Sequence, residues 1–178
     1  MKILLFLMGV GLLCAGCSTV APKQYVKEQP LLDLSEYLNG PLEAYGMFQD
    51  RKGVVIKRFN VKLMGTWSNN VGRLEEDFSY SDGTKQRRVW TITRLDDHTY
   101  TGTADDVVGV AHGEAYGNAL NWRYTMALPV NKKVYNVKFD DWMFLIDDEV
   151  MLNRAVMSKW GFRLGEVTLS FKKSKRPL

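Results

Sequence analysis

From Leu42 onward, apolar and polar side chains alternate with a period of two, and Gly, Asn and Asp break the alternation at short intervals. A chain written this way places successive side chains on opposite faces of a sheet and doubles back after each strand. Val, Thr and aromatic residues fill the segments, as a half-buried pleated surface requires. About nine such segments follow one another with short turns and no long crossover. The sequence therefore predicts an all-β fold, an antiparallel meander closing into a β-barrel of about eight to nine strands, because closure leaves no exposed edge. A two-sheet sandwich is the alternative. One short N-terminal helix is expected over residues 31–38, ended by Asn39-Gly40-Pro41.

The turns are specific enough to set register. Ser81-Asp82-Gly83 fits a three-residue hairpin loop with Gly in the left-handed position. It puts Leu74 opposite Trp90, Glu76 opposite Arg88 and Phe78 opposite Gln86. The next hairpin turns around Asp96-Asp97-His98, which sets Ile92 against Gly102, Trp90 against Ala104 and Arg88 against Asp106. Together the two registers align Glu76, Arg88 and Asp106 in one row across three strands. Such a row is either a structural ion-pair network, which must be well satisfied if it lies inside, or a site whose guanidinium fork grips a carboxylate or phosphate.

Gly117-Asn118 marks a two-residue turn. It pairs Ala115 with Leu120, Gly113 with Trp122, Ala111 with Tyr124 and Gly109 with Met126, small against large on one face. The other face carries His112, Glu114 and Tyr116, a stripe that could supply general acid and base groups if it faced a ligand. That facing depends on a bulge or corner near residues 105–109. With one, the stripe is a solvated outer wall; without one, His112 and Glu114 point inward.

Between Lys138 and Phe162, acid pairs bracket a strongly apolar run. Asp147-Asp148-Glu149 reads as a hairpin tip, which places Trp142 opposite Arg154, Phe144 opposite Leu152 and Ile146 opposite Val150. The apolar face so formed, with Trp142, Phe144, Ile146, Val150, Leu152 and Val156, is the expected core face. On this reading Arg154 sits among aromatics with Asp140 as its diagonal ion-pair neighbour; a two-residue loop would instead put Asp141 directly opposite Arg154.

The N-terminus reads as an address. Lys2, the apolar run over residues 3–13 and a small-residue site form a secretory signal over residues 1–16, too short to span a bilayer. Ala15-Gly16-Cys17 resembles a bacterial lipobox, although Cys14 stands where Leu is usual. The expectation is a lipid on Cys17, a lipidated tether over residues 17–30, one barrel domain over 31–173 and a basic tail over 174–178. Ser18, rather than Asp, points to the periplasmic face of the outer membrane. Lipid on Cys17 makes the membrane a partner by attachment, not by spanning.

Both cysteines lie in the signal and anchor, which leaves no disulfide, thiol nucleophile or Cys-based metal site in the mature fold. Two histidines and the absence of dedicated ligand spacing predict no metal and no cofactor. The formal net charge of +4 is modest, and no basic helix or finger motif indicates nucleic acid.

The blocks "GNALNWRY", "FDDWMFLIDD" and "NRAVMSKWGFRLGEVTLSF" resemble an uncharacterised family of proteobacterial lipoproteins, domain of unknown function 3833. The resemblance extends over essentially the mature chain. It implies a lipocalin-like barrel and a setting in lipid-related envelope biology, and it supplies no catalytic residue. The expected function is binding or transfer of a lipid or other apolar ligand. Trp90, Phe78, Trp122 and Trp142 would line its cavity, and Arg88 or Arg154 would hold a head group. The alternatives are an acid–base enzyme of the hydratase or isomerase type, using His112, Glu114 or Tyr116, and a non-catalytic envelope scaffold with a filled interior.

Overall fold

The computed structural model describes residues 20–174; the signal segment, Cys17 and residues 175–178 lie outside the described residues. Ten strands follow one another: β1 (Gly40–Asp50), β2 (Val55–Ser68), β3 (Val71–Tyr80), β4 (Lys85–Arg94), β5 (Thr99–Thr103), β6 (Ala111–Tyr116), β7 (Ala119–Val130), β8 (Lys133–Leu145), β9 (Val150–Lys159) and β10 (Phe162–Lys173). Each pairs antiparallel with its neighbours in sequence, and β1 pairs with β10, Leu42 facing Lys173 at one end and Asp50 facing Gly165 at the other. The meander thus closes into a barrel, as the alternation requires, with ten strands where about eight to nine were expected. The difference matters, because bore widens with strand number and eight strands already hold a filled core or one small ligand.

Most inward positions are apolar, among them Leu42, Leu63, Leu74, Ile92 and Met151, all buried. The outer wall carries charge, including Lys62, Arg73, Asp77, Arg87 and Lys138. This polarity is the reverse of a barrel that crosses a membrane, whose outer band is apolar. Among the described residues, no helix is long and apolar enough to cross one.

The turn-derived registers hold at the hairpins. Leu74 pairs with Trp90, Glu76 with Arg88, Ile92 with Gly102, and Gly113 with Trp122. The indole of Trp122 fills the space over two glycines. A Cβ on Gly102 would lie 2.5 Å from it and one on Gly113 2.2 Å. Away from the tips the ladders end early, and the expected backbone pairs Trp90–Ala104, Arg88–Asp106, Ala111–Tyr124 and Gly109–Met126 do not form. The β4–β5 ladder stops where Thr91 faces Thr103, so Ala104 does not pair with Trp90. The β6–β7 ladder stops where His112 faces Arg123, and Val107, not Gly109, bridges to Met126. Between them the chain turns a corner at residues 104–110, with Gly109 in the left-handed region at φ 76°.

One end of the barrel is plugged. Asp33 caps a short helix, α1 (Leu34–Tyr37), by accepting from Ser35 N at 2.8 Å, and pairs with Arg94 Nη1 at 3.0 Å. The helix is shorter than the span expected from the sequence because the cap sits at Asp33. Leu34, Tyr37 and Leu38 are buried, and the chain presses on β2 so closely that a Cβ at Gly65 would lie 1.6 Å from the Leu38 carbonyl oxygen. From Val20 on, the segment expected as a tether lies against the outer wall. A 3-10 turn at Pro22–Tyr25 sets the Tyr25 ring 6.0 Å from Trp142 and 5.2 Å from Phe144. The opposite end, formed by the connections at 51–54, 81–84, 104–110, 131–132 and 160–161, has no such plug among the described residues.

Candidate functional site

Behind the plug the barrel encloses a cavity of about 1120 Å³ that reaches the other end. This slightly exceeds the roughly 1,000 Å³ upper end for small-molecule sites. Its walls are mostly apolar and include Phe59, Trp90, Trp122, Phe139, Met143 and Leu169. The aromatic wall is continuous: Trp90 meets Trp122 at 5.9 Å and Tyr124 at 5.5 Å, and Tyr124 stacks on Phe139 at 4.9 Å.

Two polar clusters interrupt it. In the first, Arg88 Nε lies 3.0 and 2.9 Å from the two oxygens of Asp106, and Nη2 lies 2.8 Å from Oδ2. Asp106 reaches Arg88 from the corner after β5, so the row read from the two hairpin registers forms although the backbone ladder has ended. The guanidinium also lies 5.2 Å over the Phe78 ring. Burial works against its charge, but Glu76 and Asp106 outweigh burial and hold the proton firmly. Glu76 Oε2 is 3.5 Å from Arg88 Nη1 but makes no hydrogen bond among the described residues. Glu76 is 8% exposed, and burial, partly offset by Arg88, raises its carboxyl to about 7.

The second cluster is Tyr124, Asp141 and Asn153. Asp141, 6% exposed, accepts hydrogen bonds from Asn153 Nδ2 and Tyr124. Burial raises its carboxyl to about 7, against the pull of Asn153. Burial also pushes the Tyr124 phenol well above its usual value, and this hydroxyl feels the charges of both clusters. The cavity therefore holds one arginine already matched by a carboxylate, plus two acids that keep their protons to about neutral pH. Lys57 and Lys85 belong to its open end. Deeper in, it offers hydrogen-bond donors and no unmatched positive charge among the described residues.

Of the residues singled out from the sequence, Glu76, Arg88, Trp90, Asp106 and Trp122 line this cavity, as does Phe78. Asp140, Trp142 and Arg154 do not. The β8–β9 register is as read, with Trp142 opposite Arg154 and Phe144 opposite Leu152, but the facing is inverted. Asp141, Met143 and Leu145 point inward with Met151, Asn153 and Ala155. Trp142 and Phe144 point outward under Tyr25. Arg154 is exposed and pairs with Glu166 at 2.8 Å instead of Asp140. Asp140 accepts from Asn121 at 2.7 Å and lies 3.5 Å from Arg123. An apolar outer face, part of it covered by Tyr25 and part of it exposed at Ile146 and Leu152, looks like a core face in sequence.

The stripe of His112, Glu114 and Tyr116 is also outside. The corner at 104–110 restores the parity that buries Ala111, Gly113 and Ala115, so His112 is exposed. Tyr116 stacks on His98 at 4.0 Å. These three residues cannot act on a molecule in the cavity. The cluster of Tyr124, Asp141 and Asn153 escapes a reading of the sequence, which offers Asp141 only as a neighbour of Arg154. Their one signal is two polar residues, Asp141 and Asn153, on the inward side of neighbouring strands, a face less apolar than its reverse.

The model of a family described as a protein of unknown function, DUF3833, matches residues 11–173. The chain belongs to that family. No curated protein matches this DUF3833 chain. Among solved structures, an S-type phycobiliprotein lyase, CPES, from Guillardia theta is similar in fold. Its TM-score is 0.59 at 7% identity over 80% of this chain and 92% of that one. A protein of unknown function from the DUF3598 family of Nostoc punctiforme gives 0.50 at 13% identity, over 83% of this chain and 51% of that one. A de novo designed fluorescence-activating β-barrel gives 0.45 at 12% identity, over 81% and 100%. At these identities the likeness is one of fold: the DUF3833 protein is a lipocalin-like barrel.

Proposed function

We propose that this DUF3833 protein is a lipid-anchored periplasmic barrel that holds or hands over a lipid or other apolar ligand in its cavity. A lipid on Cys17 would attach it to the periplasmic face of the outer membrane. The observation that carries the ligand reading is the hollow apolar bore with the Glu76 carboxyl buried in it, one oxygen making no hydrogen bond among the described residues and only a 3.5 Å ion pair with Arg88. A buried polar group left without a partner costs about 1–3 kcal/mol, and a ligand polar group in the cavity would complete it. Arg88 is bound across its fork by Asp106, so a ligand carboxylate or phosphate would have to displace that partner. The carboxyls of Glu76 and Asp141, raised to about 7, instead favour a neutral oxygen that accepts hydrogen bonds, such as an ester carbonyl, an ether or a hydroxyl.

The test uses the chain from Val20 to Leu178, which contains the complete barrel and plug. A fluorescent neutral acyl ester should bind, and a fluorescent free fatty acid should bind more weakly. Ala155 is buried and lines the cavity, so Ala155→Trp should weaken the ester at least tenfold while the far-UV spectrum stays unchanged. No binding by the parent chain, or binding indifferent to Ala155→Trp, would overturn the ligand reading. The anchor is tested in cells: labelled palmitate should enter the full chain and not its Cys17→Ser variant.

A further inference from the structure

The unplugged end differs from the rest of the surface. Its connections and the strand ends beside them expose large apolar side chains: Val54, Ile56, Val130, Val134, Trp160 and Phe162. Trp160 is 82% and Phe162 74% exposed. Trp160 also occupies the left-handed region at φ 52°, beside Gly161 at φ 82°. A bulky residue is an outlier there, and its only ring partner among the described residues is the Lys159 ammonium at 4.8 Å. The fold gains little burial from placing an indole at that tip.

Two connections at the same end are basic, although Asp82 and Asp105 lie in others. The connection after β1 carries Arg51 and Lys52, and the turn between β7 and β8 carries Lys132 and runs into Lys133, all four exposed. Two turns at the plugged end are acidic, Asp96-Asp97 and Asp147-Asp148-Glu149. The basic apolar rim is continuous with the cavity: Ile56, Val130 and Val134 belong to both.

Exposed aromatics with flanking Lys and Arg are the composition that settles at the head-group level of a bilayer, and cationic loops are drawn to anionic lipid. We propose that this rim docks on an anionic phospholipid bilayer. The tip bearing Trp160 and Phe162 would sit among the head groups and the basic loops would lie on their phosphates, so that the mouth of the cavity meets the membrane. Docking stands on the rim alone; its use, passage of a ligand between bilayer and cavity, rests on the ligand reading above.

The experiment mixes the chain from Val20 to Leu178 with phosphatidylglycerol vesicles and, separately, with phosphatidylcholine vesicles, and measures co-sedimentation and tryptophan emission. Binding to phosphatidylglycerol should be at least tenfold tighter and should weaken with added salt. Emission should shift to shorter wavelength in the parent chain and not in Trp160→Ser. The pair Trp160→Ser with Phe162→Ser, and the pair Lys132→Glu with Lys133→Glu, should each cut binding at least tenfold. Leu152→Ser, an exposed apolar site on the wall, should change nothing. Equal binding to both vesicles, no binding to either, or binding untouched in the tip variants would overturn the proposal. So would tip-dependent self-association without vesicle binding, which would make the rim a contact between copies. The acyl-ester titration is run in parallel on every variant. Vesicle binding without ester binding removes the ligand reading and leaves docking intact; the converse removes docking alone.

Discussion

Replacing Glu76 with Gln should make the barrel more stable, and more so as the pH rises. In the folded chain burial raises this carboxyl from an ordinary 4.5 to about 7. The native state therefore keeps a proton that the unfolded chain releases near 4.5. Between those values the native state binds more protons, so stability falls as pH rises. The contribution is fully present below about pH 4.5 and lost above about pH 7. At about 1.4 kcal/mol per pH unit, this rise of about 2.5 units is worth about 3 kcal/mol. For a chain of this size, 1 kcal/mol moves the melting temperature by roughly 2–4 °C. The advantage of Glu76→Gln over the parent should therefore grow by roughly 6–12 °C between pH 4.5 and pH 8. Asp141 titrates in both proteins, and removing the Glu76 charge, which helps to raise its carboxyl, acts in the same direction. Melts followed by far-UV circular dichroism across that range are sufficient. A difference that stays constant, or that grows in favour of the parent at high pH, would refute the reasoning. It would mean that Arg88 stabilises the charged carboxylate by more than burial costs it.

Two shorter predictions follow from packing. Gly113→Val should lower stability by roughly 1–3 kcal/mol or more, because its Cβ would lie 2.2 Å from the Trp122 ring; denaturant unfolding measures this. Arg154→Met should cost no more than about 1 kcal/mol, since its pair with Glu166 is a surface one. It should also leave acyl-ester binding unchanged, and a tenfold loss of binding would put Arg154 back in the site.

The hairpins were legible because each turn fixes a register by itself. Ser81-Asp82-Gly83 set Glu76 against Arg88, and the pairing appears in the structure. Asp106 was reachable because side chains extend where the ladder stops. The facing of β8 and β9 was not legible. Sequence shows which face is apolar but not what covers it, and here Tyr25, more than a hundred residues earlier in the chain, packs over Trp142 and Phe144. That inversion also hid Asp141 and Asn153. The facing of His112 turned on the corner at 104–110, where the sequence allowed either parity. Whether the bore is hollow depends on its circumference, and a tenth strand changes that without altering any local pattern.

Closure of β1 onto β10 has a kinetic consequence. A continuous hydrogen-bonded hoop cannot part sideways without breaking a whole ladder, and the plug formed by Leu34, Tyr37 and Leu38 blocks one axial exit. Any occupant then arrives and departs through the same doorway. Exchange is sequential, one molecule must vacate before the next is admitted, and residence time is governed by the loops around that doorway and not by the wall.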